Sequence, residues 1–148
     1  MKFIELTSDA EILTARQVMR QLRSGIAEED YLATVRRDVE TRNLEARKQY
    51  LTHQLDLYTE ATRSAAKIAT AKPGSPDHAK ALARFWELYW GELSMVENSA
   101  VEGAMRNMGD CLNGQCSGCP NLQRCSLDLA HACRRSLADS WGVPDWRY

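Results

Sequence analysis

The sequence predicts an all-α protein: an antiparallel up-down helical bundle with a small N-terminal helical extension and at most one short strand. Three observations predict it. Apolar residues recur three and four apart through most of the 148 residues, which is the period of a helix face. Capping sequences stand where several of these runs begin. The breaks between runs are short and carry Pro or Gly, and short connections favour antiparallel neighbours.

Phe3-Ile4-Glu5-Leu6 is the one plausible strand. Ser8-Asp9-Ala10-Glu11 has capping-box form, in which the serine oxygen accepts a backbone N–H three residues on and the glutamate reaches back. Ile12, Ala15, Met19 and Leu22 follow at helical spacing, and Ser24-Gly25 stops the run. A second helix begins near Ala27, where Glu28, Glu29 and Asp30 suit the positive end of the helix dipole. Its apolar stripe is Leu32, Val35 and Val39, and it then turns polar from Glu40 to Gln49 with no Pro or Gly. A continuous helix to about Ala71 with a solvated middle is expected, joining residues 1–48 to a bundle over residues 49–148. The stripe resumes as Leu51, Leu55, Tyr58, Thr62, Ala65 and Ile68, and its Ala/Thr-rich end would let a neighbour approach closely.

Lys72-Pro73-Gly74-Ser75-Pro76 is the clearest break, with Ser75 as N-cap and Pro76 in the first turn of the next helix. There Ala79, Leu82, Trp86, Tyr89, Leu93 and Val96 alternate three and four apart, and Phe85, Leu88 and Trp90 widen the face. Burying a large aromatic is worth roughly 2–3 kcal/mol, so the Phe85–Trp90 cluster is expected to dominate the core, with Glu87 and Glu92 facing solvent beside it. Ser99-Ala100-Val101-Glu102 reads as another capping box, opening a helix with Val101, Met105, Met108 and Leu112 on one side. Pro120 is placed to start the last helix, where Leu122, Cys125, Leu129, Cys133 and Ser136 share a face and Gly142-Val143-Pro144 ends the run.

Four of the five cysteines stand together as Cys111-x4-Cys116-x2-Cys119-x5-Cys125. Four thiolates could complete a tetrahedral zinc site or hold an iron–sulfur cluster. The C-x4-C-x2-C part matches plant-type ferredoxin loops, and C-x2-C-x5-C resembles auxiliary iron–sulfur spacings. Gly114 and Gly118 let the backbone bend around an ion. Competing readings are a reactive or disulfide-forming pair Cys116/Cys119, His131 as fourth ligand in place of Cys125, and plain burial of Cys125 and Cys133 as small hydrophobes.

The formal charge of −1 exerts no global pull on nucleic acid or acidic membranes. Arg36, Arg37, Arg42, Arg47 and Lys48 are interleaved with Asp38, Glu40 and Glu45, which reads as a solvated helix face. The first residues lack the apolar run of a signal peptide and no stretch approaches a membrane span, so the expected location is the cytoplasm, where cysteines stay reduced. No phosphate loop, dinucleotide fingerprint or nucleophile elbow is present, and no catalytic residue is assigned. The expected role is therefore a helical interaction or scaffold module with a protein partner or a second copy, and the alternative is a metal or iron–sulfur protein with a redox or sensing role.

Residues 3–39, with EILTARQVMRQLRSGIAEEDYLATVRRDVE, resemble the opening strand and first two helices of GNAT-family acetyltransferases. That resemblance implies an acetyl-CoA site on a Q/R-x-x-G-x-G/A turn, and no such turn occurs here, so it points to a degenerate relative. Residues 51–146, with ALARFWELYWGELSMVENSAVEGAM and SLDLAHACRRSLADSWGV, are similar to helical regions of uncharacterised bacterial proteins. That likeness implies the bundle and a core role for Trp86, Tyr89 and Cys133, with the cysteine loop as a local addition.

Overall fold

The computed structural model describes residues 8–19, 28–115 and 121–143. They form five α-helices and one 3-10 turn: α1 (Asp9–Met19), α2 (Glu28–Thr70), α3 (Pro76–Trp90), the 3-10 turn Glu92–Met95, α4 (Ser99–Leu112) and α5 (Leu122–Trp141). No strand occurs among the described residues, and the all-α class holds. The expected strand at Phe3–Leu6 and the stop at Ser24-Gly25 lie outside them. No helix among the described residues is long and apolar enough to cross a membrane.

The chain divides into two compact units, Met1–Lys48 and Gln49–Tyr148. In the first, Ser8 caps α1 as its sequence implies: Ser8 Oγ accepts from Glu11 N–H at 3.3 Å, and Ser8 N–H donates to Glu11 Oε2 at 3.1 Å. Ile12 is buried, while Leu32 and Val35 are half-buried. Arg36 pairs with Asp9 at 2.5 Å. Both side chains are more than half exposed, so solvent screens most of that attraction.

The second unit holds the core. α2 is continuous through its charged middle, as the absence of Pro and Gly implies, and every residue from Arg36 to Tyr50 is exposed. Its buried face turns slightly from the expected stripe: Gln54, Leu57, Tyr58, Ala61, Ser64, Ala65 and Ile68 point inward, while Leu55 stays 39% exposed. Ala61 and Ala65 are fully buried, whereas Thr59, Thr62, Ala66, Ala69 and Thr70 are half-buried or exposed. With Gln123, Ser126, Leu127 and Ala130 of α5 the latter line an open groove of about 640 Å³.

Ser75 and Pro76 start α3 as expected, with Ser75 Oγ accepting from His78 N–H at 3.2 Å. The helix does not run on to Val96. It ends at Gly91, and the chain tightens into the 3-10 turn, which buries Leu93 from a new direction. The aromatic cluster is consequently graded rather than uniformly interior: Phe85 is fully buried, Trp86 and Tyr89 are half-buried, and Trp90 is 78% exposed. Successive rings meet edge to face, Phe85–Trp86 at 5.3 Å and Trp86–Tyr89 at 5.3 Å between centroids, an arrangement the ring quadrupoles favour. Trp86 also lies against Gly109 of α4, where a Cβ would come within 3.2 Å of the indole.

α4 is capped one residue earlier than its sequence suggests. Asn98, not Ser99, is the N-cap, and its Oδ1 accepts from Val101 N–H at 3.0 Å. Both residues can cap a helix, but an Asn oxygen reaches the third N–H from a β-region backbone at least as readily as a serine hydroxyl. Likewise Asn121 caps α5, which begins at Leu122 rather than at Pro120. Gly142 ends α5 at φ +71, a left-handed conformation that costs glycine little, and Val143 N–H closes back on Ala138 O at 2.9 Å.

Arg84 fastens this unit from outside the core. Its guanidinium donates to Glu60 of α2, to Glu87 one turn on, and to Glu92 of the 3-10 turn, at 2.8 Å from Nη1 to Glu92 Oε1. Glu92 and Glu60 hold the guanidinium well above its usual pKa, and Arg84 in turn holds the Glu92 carboxyl below the carboxylate range.

Candidate thiolate centre

Two helix ends flank the connection between α4 and α5. α4 closes with a Schellman motif: Gln115 N–H donates to Asp110 O at 3.0 Å, Gly114 N–H approaches Cys111 O at 3.4 Å, and Gly114 takes φ +65. Cys111 therefore sits in the last turn of α4, half-buried. α5 opens from Asn121, whose carbonyl accepts Cys125 N–H at 3.1 Å, so Cys125 sits in the first turn. α4 and α5 pack on one another. That packing brings the two thiols together, with Sγ of Cys111 and Sγ of Cys125 3.0 Å apart.

Cys125 is 3% exposed. A helix N-terminus lowers a thiol's pKa, but at Cys125 burial, followed by the Cys111 thiol, wins and pushes it up to about 12. The 3.0 Å separation is longer than a disulfide bond of about 2.05 Å. It is shorter than the roughly 3.8 Å between two sulfurs on one tetrahedral zinc at about 2.3 Å each. The separation lies between the two, and a thiol pair of this kind is a soft donor set suited to zinc or iron.

Of the four cysteines read as ligands, Cys111 and Cys125 are brought together; Cys116 and Cys119 lie outside the described residues, as do Gly118 and Pro120. Among the described residues no three His, Cys, Asp or Glu side chains converge where an ion would sit. His131, half-buried on α5, thus does not complete a site with Cys111 and Cys125. Cys133 behaves as a core residue: it is 3% exposed, belongs to the same buried cluster as Leu129 and Met105, and burial raises its thiol to about 12. Inward packing of Cys125 does not remove it from the cysteine group, because Cys111 meets it at the edge of the core.

Two polar features escape the sequence pattern. Gln54 and Ser136 are buried with Tyr58 around the Val96 carbonyl. The Tyr58 hydroxyl donates to Val96 O at 3.1 Å and shares a 2.9 Å hydrogen bond with Ser136 Oγ, while Gln54 Nε2 donates to Val96 O at 2.9 Å. Among the described residues Gln54 Oε1 is buried with no hydrogen-bond partner. The spacing of Gln54 and Tyr58, four apart on an apolar stripe, is the sole sequence trace of this network. The second feature is Glu97, half-buried between the 3-10 turn and α4. Its carboxyl is raised by burial and then by Glu102.

No family model, curated protein or solved structure matches this chain.

Proposed function

We propose that the α4–α5 turn is a thiolate centre that holds a zinc ion or an iron–sulfur cluster and serves a redox or sensing role. The reading is supported by one observation above all: the 3.0 Å approach of Cys111 to Cys125, fourteen residues apart, from two different helices. Cys116 and Cys119 fall within the span between them and supply two further thiols at ligand spacing. The group itself would contribute either a fixed cross-link or electron transfer. The chain's residues would contribute thiol donors, a Schellman turn that presents Cys111, and a low-dielectric setting at Cys125. Both thiols must lose protons on binding, so loading would be proton-coupled.

The test is anaerobic purification followed by elemental analysis and an absorption spectrum. The reading expects stoichiometric zinc, or a coloured iron-bearing protein, and loss of the metal in the Cys111→Ser/Cys125→Ser variant. Colourless, metal-free protein with reactive thiols would overturn it.

A second reading is association with a protein partner or a second copy through α2. It is favoured by Val39 and Leu44, 39% and 69% exposed on an otherwise charged stretch. Sedimentation equilibrium should then find self-association, or a stable partner complex, that Val39→Asp/Leu44→Asp removes.

A further inference from the structure

The end of α3, the 3-10 turn and the start of α4 enclose a cleft of about 500 Å³. That is within the usual range of small-molecule sites, about 300–1,000 Å³. One side of it is an aromatic corner: the Tyr89 and Trp90 rings stand 4.7 Å apart at 79° to each other. Trp90 is 78% exposed, an unusual state for the largest apolar side chain in proteins.

The charge of the cleft is settled by three side chains. Glu102 and Arg106 pair with each other one helical turn apart. Glu97 also lines the cleft, half-buried, and no cation lies within salt-bridge distance of it among the described residues. The cleft therefore carries one uncompensated negative charge beside an aromatic corner. The N-terminus of α4 opens here and favours negative charge, which Glu102 in its first turn already provides.

These features select a ligand class. An anion would meet Glu97. A neutral apolar molecule would strip water from Glu97 and leave the carboxylate without a partner, which is costly. A hard metal ion would find one available carboxylate and two rings that do not ligate. An organic cation satisfies everything at once, because the ring faces attract it through their quadrupoles and the carboxylate balances its charge.

We infer that this cleft binds a small organic cation, a methylated ammonium head, seated against the corner formed by Trp90 and Tyr89 with Glu97 as its counter-charge. Burial and the neighbouring Glu102 raise the Glu97 carboxyl, as expected of a carboxylate lacking its cation.

The experiment is isothermal titration of the full chain with choline and with its uncharged isostere 3,3-dimethylbutan-1-ol, which has the same shape without the charge. Choline should bind saturably and the isostere at least about tenfold more weakly. Trp90→Ala and Glu97→Gln should each weaken choline about tenfold, with unchanged far-UV circular dichroism. Trp90 is largely outside the core and Glu97→Gln is conservative, so at least one variant reports on folded protein. Equal binding of choline and the isostere, absence of choline binding, or wild-type affinity in a folded variant would overturn the proposal.

Discussion

Removing one oxygen from the core, as Tyr58→Phe, is a stringent test of the buried polar network. Tyr58 is 1% exposed, and burial raises its phenol pKa above the usual 10.0, so the group is neutral at pH 7. Without the hydroxyl, Gln54 Nε2 loses its long 3.3 Å bond to Tyr58 but keeps Val96 O at 2.9 Å. Ser136 Oγ does not: it is 2% exposed, and its 2.9 Å partner is gone. One net hydrogen bond at about 1 kcal/mol and one orphaned hydroxyl at about 1 kcal/mol give a cost of about 2 kcal/mol. Ser136→Ala alone should cost about 1 kcal/mol, because Tyr58 keeps its bond to Val96. In the double variant no hydroxyl is stranded, so its cost should fall about 1 kcal/mol short of the sum. Urea denaturation followed at 222 nm supplies all four stabilities, with the m-value as a check that the unfolded state is unchanged. A Tyr58→Phe cost below about 0.3 kcal/mol, or strict additivity, would refute the network as a coupled unit.

Other outcomes follow from the same packing. Phe85→Ala should lose about 3–5 kcal/mol, as a fully buried ring leaves a cavity, whereas Trp90→Ala should stay within about 0.5 kcal/mol in the same denaturation assay. Asn98→Ala should cost about 1 kcal/mol and Ser99→Ala much less, because Asn98 Oδ1 holds the Val101 N–H; thermal melts of the two variants distinguish them. Glu97 has a raised pKa in the fold, so the folded chain binds its proton more tightly than the unfolded chain. Its ionisation thus costs stability as pH rises through the raised value. Glu97→Gln should be the more stable form at pH 7 and converge with the parent below roughly pH 4, where the carboxyl is protonated in both states.

Helix identity was legible because its signals are local. The Ser8–Glu11 box, the Pro73–Pro76 break, the unbroken middle of α2 and the stop at Gly142 each act over a few residues. Exposure was less legible. Trp90 fits the apolar spacing of α3, yet the chain leaves the helix at Gly91 and turns Leu93 inward instead, a choice that depends on where α4 packs. Asn98 and Ser99 compete for one capping role, and their order is decided by backbone geometry that residue types do not encode. The candidate centre was half legible. Ligand spacing marked the cysteines, but the meeting of Cys111 with Cys125 arises from the packing of α4 on α5, a tertiary event. The buried Gln54–Tyr58–Ser136 network joins residues up to 82 positions apart and had no local signal strong enough to mark it.

X-ray absorption at the zinc or iron edge of anaerobically purified protein examines the thiolate centre at the level of the bond. The expected spectrum has a first shell of sulfur at about 2.3 Å, and the Cys111→Ser/Cys125→Ser variant should lose it. A metal-free protein, or a first shell of oxygen and nitrogen that the double variant leaves unchanged, would contradict a centre built on Cys111 and Cys125.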